Sequence, residues 1–96
     1  MTNAERTHLG RLAEMCCILC RHYGIDDSPA EIHHIRTGVG AGKRSSHFDA
    51  LPLCPIHHRL GNEAIHVMGR KAFERHHGIT ELELLAEVKR LLSGFS

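Results

Sequence analysis

Tryptophan is absent from this 96-residue chain, which holds one tyrosine and three phenylalanines. So short a chain buries a modest fraction of its surface. With few large aromatics its apolar core gives thin stability, and an extra staple is expected. A secretory signal is not expected, because Met1 to Arg11 is polar, carries Glu5 and leads into no apolar segment. No apolar run approaches the roughly 20 residues that span a bilayer, so no membrane partner is expected. The length allows one domain, read as residues 1–96. Repeats and low-complexity stretches are missing too. Two common phosphate-binding signatures fail in the Gly-rich, basic stretch 37–47. The P-loop spacing needs glycine at position 37, where Thr37 stands, and Gly38, Gly40 and Gly42 are too evenly spaced for a dinucleotide fingerprint. That stretch is expected to be an excursion between two strands.

Against these absences stand four cysteines and ten histidines. Such a histidine excess points to metal chemistry more than to packing. In the expected cytoplasmic setting thiols stay reduced, so the cysteines are better explained by metal than by disulfides. The net charge of +1 is uninformative, but its distribution is not. Between Arg36 and Arg75 seven Lys/Arg face three acids, an excess that suits either a polyanion or a solvated surface.

The pattern of elements is α+β. Asn3 is a candidate cap for a helix over about 4–15, with Leu9, Leu12, Ala13 and Cys16 at helical spacing. Residues 1–30 hold this helix and a first metal knuckle. Ser28-Pro29 reads as a turn. Glu31 to Arg36 reads as a strand and Ala50 to Leu53 as a second. Pro55 suits the first position of a helix over His57 to Glu63. A further short helix, Gly69 to His77, is closed by Gly78. Thr80 and Glu83 form a capping box for a last helix over about 81–93, with Leu84, Leu85, Val88, Leu91 and Leu92 on one face.

Cys17-x2-Cys20 and Cys54-x2-His57 lie 33 residues apart. Each pair offers two soft ligands one tight turn apart, which suits a structural Zn2+ on Cys17, Cys20, Cys54 and His57. Such a site pins the N-terminal helix to the middle of the fold and supplies the missing staple. Cys16, His22 and His58 are near enough in sequence to compete. Buried unliganded thiols are the alternative, but they do not explain two paired knuckles.

With His57 assigned to zinc, His33, His34 and His58 remain for a base and two ligands. Phosphodiester cleavage needs water deprotonated, and imidazole titrates near the working pH. It also needs charge stabilised on the phosphoryl and leaving oxygens. Neighbours on a strand point to opposite faces, so His33 and His34 are expected to do different work. Asn62, four residues after His58, falls on the same face of a regular helix.

The stretches Ile32-His33-His34-Ile35, Asp49-Ala50-Leu51-Pro52-Leu53-Cys54 and Cys54-Pro55-Ile56-His57-His58 resemble the HNH nucleases over about residues 16–66. That resemblance implies a ββα-metal (His-Me finger) core over 31–66, a structural zinc knuckle and flanking helices, with residues 67–96 forming the C-terminal helices. It implies His34 as general base, His33 and His58 as ligands of a catalytic Mg2+ or Mn2+ (Zn2+ and Ni2+ being alternatives), and Asn62 as a further ligand or orienting group. Asp49 stands where the family usually has Asn; it accepts the same hydrogen bonds but cannot donate, and is placed to hold His34 in a tautomer or to approach the metal. A narrower string, Leu53-Cys54-Pro55-x-His57-His58 with Ala64-Ile65-His66, Gly69 to Glu74 and Gly78, resembles the phage-borne recombination-enhancement nucleases. These cut DNA together with RecA filaments. In that reading His66 contacts the scissile phosphate or the metal; the alternative is a partly buried helix histidine. Lys43, Arg44, Arg59, Arg70 and Lys71 would neutralise DNA phosphates. The expectation is a phage- or prophage-encoded DNA endonuclease in the host cytoplasm, monomeric or weakly dimeric, with a RecA filament as partner. The competing expectations are a non-catalytic zinc-finger-like nucleic-acid-binding module and a small zinc protein that binds another protein through its last helix.

Overall fold

A computed structural model describes residues 1–40, 43 and 45–94. Helix α1 spans Asn3–Glu14. Its cap is Thr2 and not Asn3. The Thr2 hydroxyl accepts the Glu5 N–H at 3.1 Å, and the Glu5 carboxylate accepts the Thr2 N–H at 2.7 Å. Thr-x-x-Glu closes this reciprocal box, whereas Asn3 has Arg6 three residues on and gains no second bond. The far end of α1 is tied down by Arg11, whose guanidinium donates to the Leu92 carbonyl at 2.8 Å.

Helix α2, Ile18–His22, is one short turn begun by a knuckle cysteine: Cys17 is its N-cap, and Cys17 Sγ accepts the Cys20 N–H at 3.4 Å. Strand β1 covers Glu31–His34 and β2 covers Ala50–Leu53. They pair antiparallel, with His33 opposite Leu51 and His34 opposite Ala50. β1 is shorter than the expected 31–36 for an identifiable reason. The N–H groups of Arg36 and Thr37 each donate to the Glu81 carboxylate at 2.9 Å, which turns the chain away from the sheet.

The segment after β2 departs most from expectation. In place of a helix over 57–63 there is a single π-helical turn, Ile56–Leu60. Gly61 ends it by donating to the Ile56 carbonyl at 2.9 Å. A Cβ at Gly61 would lie 2.8 Å from that oxygen, so glycine is required by close approach. The turn does not continue, and the i, i+4 stacking of Asn62 over His58 is not realised; Asn62 is exposed. A short helix that was not anticipated, α3 (Ile65–Met68), follows. Helix α4 is Arg70–His77, capped by Gly78 at φ 69°, and Gly69 lies just outside it.

Helix α5 spans Glu81–Leu92 with the Thr80–Glu83 capping box formed as expected. Leu84, Leu85 and Val88 are buried, while Leu91 and Leu92 are half-buried. β2 lies against α1, α2 and α5, so Leu51 and Leu53 meet Leu12, Ile18, Leu19 and Leu84 in one core with Phe73 and Val88. The architecture is a small α+β fold with a two-stranded sheet. Among the described residues no helix is long and apolar enough to cross a membrane.

Candidate metal centres and the strand face between them

Among the described residues the fold brings three sets of possible ligands together: Cys17, Cys20, Cys54 and His57; His33, His58 and His66; and exposed Glu63 and His76 with buried His77. In the first, the ligand atoms of Cys17, Cys20, Cys54 and His57 all lie within 4.8 Å of one another. His57 Nδ1 is 3.4 Å from Cys54 Sγ, 3.5 Å from Cys20 Sγ and 3.9 Å from Cys17 Sγ. Cys20 Sγ and Cys54 Sγ are 3.8 Å apart. Tetrahedral Zn2+ with bonds of about 2.3 Å to sulfur and 2.0–2.1 Å to nitrogen has edges of roughly 3.5–3.8 Å, so these spacings fit the ion. The His57 N–H donates to Cys54 Sγ at 3.4 Å, matching the bond from Cys20 to Cys17. Burial pushes the Cys17 thiol up to about 12 and raises Cys20 as well. Thiolates there need the compensating charge of a cation. Burial, then His77, lowers His57, which keeps its ring neutral and able to donate a lone pair. These four residues can therefore hold a metal such as zinc.

The second set is His33, His58 and His66, again with ligand atoms within 4.8 Å. His33 comes from β1, His58 from the π-helical turn and His66 from α3. His58 Nε2 and His66 Nε2 are 3.1 Å apart. Two ligands at right angles on an ion with bonds of about 2.1 Å would be separated by about 3.0 Å. Carboxylates back two of the rings. His58 Nδ1 donates to Glu31 Oε1 at 2.9 Å, and His33 Nε2 to Glu81 Oε2 at 2.7 Å. Hydrogen bonds from Arg59 and then His58 lower Glu31 to about 2. Glu81 is fully buried, and burial opposes its ionisation; the bonds from His33, Thr37 and Arg36 outweigh this and hold it at about 2. Burial, then His33 and His58, lowers His66, which favours its neutral form. Three converging imidazoles, two of them backed by ordered outer carboxylates, form a metal-ready group.

His34 ends β1 on the face opposite His33 and is half-buried. Its Nε2 lies 3.0 Å from His47 Nδ1. Together with Arg36 and Ser45 these two histidines line a cleft of about 390 Å³. Ser45 Oγ is buried there with no hydrogen-bond partner among the described residues. Asp49 pairs with Lys89 at 3.2 Å, and its carbonyl accepts the Ile35 N–H at 3.1 Å. Of the residues expected to meet DNA phosphates, Arg59 makes a two-pronged bond to Glu31, and Arg70 pairs with Glu74 at 2.9 Å. Lys43 and Lys71 are exposed, and Arg44 lies outside the described residues.

Four further residues take part that spacing in sequence does not single out: Glu81, Glu31, His47 and His77. Glu81 was legible as the first residue of a capped helix, which hides a buried anchor. Glu31 sits two residues before His33, in a stretch that reads as ordinary strand. His47 was counted in the basic loop. His77 is buried and bridges Tyr23 Oη (2.6 Å) and the Glu63 carbonyl (3.0 Å), so it supports the segment between His58 and His66.

A family model described as recombination enhancement, RecA-dependent nuclease matches residues 1–93. A search of curated proteins finds no match.

Proposed function

Since the chain belongs to the recombination-enhancement, RecA-dependent nuclease family, we propose that it is a metal-dependent DNA endonuclease of the HNH type. In this reading the β1–β2 hairpin and the π-helical turn form a ββα-metal core within one nuclease domain, residues 1–96. The observation that carries the reading is the carboxylate-backed cluster of His33, His58 and His66, separate from the Cys3His cluster. A zinc-stabilised binding module has use for one such set, not two.

The two sets divide the labour. Cys17, Cys20, Cys54 and His57 hold a structural Zn2+. His33, His58 and His66 would hold the catalytic divalent ion, with His66 a third ligand in place of Asn62. Imidazole donors favour Mn2+, Ni2+ or Zn2+ over Mg2+, which prefers oxygen ligands. When bound, the ion supplies positive charge against the phosphoryl and leaving oxygens. His34, the last residue of β1, accepts the proton of the attacking water. A phosphodiester lying across the end of β1 reaches both faces of the strand, His33 on one and His34 on the other. Arg36 and Ser45 line the His34 cleft with donors and, among the described residues, no carboxylate joins them, which suits a phosphate oxygen. Asp49, held by Lys89, acts on the loop and not on the ion. Exposed Lys43 and Lys71 add non-specific attraction to the backbone. A RecA filament is the partner the family description implies, and with it a role in recombination in the host cytoplasm.

The test is nicking of supercoiled plasmid, with and without RecA filaments, in Mn2+, Ni2+, Zn2+, Mg2+ or EDTA. Metal-dependent nicking that is lost in a folded, zinc-loaded His34→Ala protein is the expected result. DNA binding with no nicking in any metal, with filaments present, would overturn the proposal in favour of a binding module.

A further inference from the structure

Glu81 is farther from the chemistry in sequence than any proposed ligand, yet its side chain ends against one of them. Its carboxylate is 0 % exposed, and its partner His33 is 2 % exposed. Oε1 accepts three hydrogen bonds: Arg36 N–H at 2.9 Å, Thr37 N–H at 2.9 Å and Thr37 Oγ1–H at 2.7 Å. Oε2 accepts from His33 Nε2 at 2.7 Å. The Glu81 backbone is held in place from behind. The Glu81 N–H donates to Glu74 Oε2 at 2.8 Å, and Glu74 Oε1 accepts from Arg70 at 2.9 Å. Glu81 is also the first residue of α5, where the helix dipole favours negative charge.

An ionised carboxylate can only accept, so the shared hydrogen belongs to His33 Nε2. A neutral imidazole with Nε2–H has its lone pair on Nδ1. His58 is arranged the other way: Nδ1 donates to Glu31, and Nε2 faces His66. We propose that Glu81 is the positioning residue of the metal centre, holding His33 as the Nε2–H tautomer so that Nδ1 is its ligating atom, while His58 ligates through Nε2. This rests on the reading of His33 and His58 as ligands of one ion.

The same carboxylate fixes the chain leaving β1. The bonds to Arg36 and Thr37 set the direction in which the strand ends, immediately after His34. Glu81 thus ties the start of α5, the Arg36–Thr37 exit from β1 and the inner metal ligand to one buried point.

Glutamine at 81 is nearly isosteric but breaks the pattern. Its amide offers one acceptor oxygen and one donor nitrogen to a site that presents four donors. Either the donor nitrogen faces backbone N–H groups, or it faces His33 Nε2 and drives the ring to the other tautomer. Losing such an outer partner typically weakens metal binding about 10–100-fold.

The experiment uses the full chain loaded with one equivalent of Zn2+ at the cysteine cluster. Long-range 1H–15N spectra of the histidine rings are recorded before and after a second equivalent of Zn2+, alongside calorimetric titration of that equivalent. Wild type should show His33 with hydrogen on Nε2 before the second addition, and perturbation of His33 Nδ1 and His58 Nε2 after it. Glu81→Gln should keep the first zinc and bind the second about 10–100-fold more weakly. Glu81→Asp, which keeps the charge, should recover part of the loss. A wild-type His33 with hydrogen on Nδ1, or unchanged affinity in Glu81→Gln, overturns the role of Glu81 alone. A wild type that takes up no second equivalent overturns the metal centre, and with it the assignment of ligating atoms.

Discussion

Lowering free zinc should unfold this protein in proportion to the logarithm of the zinc concentration. Cys17 and Cys20 open α2, whereas Cys54 and His57 flank the exit from β2, so a shared ion joins two parts of the chain 33 residues apart. A chain of this size is expected to have a net stability of about 5–15 kcal/mol. Structural zinc in small domains contributes an apparent 10–16 kcal/mol, roughly the whole of that margin. An ion that binds only the folded state stabilises by RT ln(1 + [Zn]/Kd), so each tenfold fall in free zinc removes about 1.4 kcal/mol. For a 60–100-residue domain 1 kcal/mol moves Tm by about 4–8 °C, so Tm should fall by about 6–11 °C per decade of free zinc. Circular dichroism melts in zinc buffers, with elemental analysis of the bound metal at each point, measure this slope. Cys54→Ser should behave as wild type does at the lowest zinc levels. A protein shown to be free of zinc, yet melting cooperatively at the wild-type temperature, would refute the reasoning. It would mean that the apolar core around Phe73, Leu51 and Leu84 suffices alone.

His58→Ala should abolish uptake of the second metal equivalent, beyond the about 10–100-fold loss expected for an outer-shell change, while the cysteine-bound zinc stays. Elemental analysis after gel filtration separates the two. Gly61→Ala places a Cβ 2.8 Å from Ile56 O and should cost about 1–3 kcal/mol; a thermal melt reads it, and an unchanged Tm would show that the π-helical turn can open freely. Glu81 has its folded pKa lowered from 4.5 to about 2, so its contribution is complete above 4.5 and is lost as pH falls through about 2. That contribution is about 3 kcal/mol at neutral pH by linkage. Acid titration of wild type against Glu81→Gln at constant zinc should show the difference shrinking below pH 4.5, and a constant difference down to pH 2 would contradict the shift.

What the residues alone determined follows from short-range rules. Thr80-x-x-Glu83 starts a helix because the two side chains satisfy each other's neighbouring N–H groups. Gly78 closes α4 because it adopts a left-handed φ at little cost. Cys17-x2-Cys20 and Cys54-x2-His57 announce a cluster that could hold a metal because each pair needs only its own turn to bring two ligands together. The alternation of His33 and His34 across β1 follows from the pleat. Rules of this range failed where a distant group intervened. β1 stops early because a carboxylate 45 residues from Arg36 captures the Arg36 and Thr37 N–H groups. The helix after Pro55 becomes one π-helical turn because His57 must face the cysteines while His58 faces Glu31 and His66, and Asn62 loses its expected place as a result. His66 joins His33 and His58 because α3 folds back beside the π-helical turn, and His47 meets His34 from 13 residues away. Spacing in sequence reports what one turn of backbone can bring together. Which carboxylate backs which imidazole, and on which nitrogen, depends on packing between elements: β1 against the π-helical turn for Glu31 and His58, and α5 against the end of β1 for Glu81 and His33.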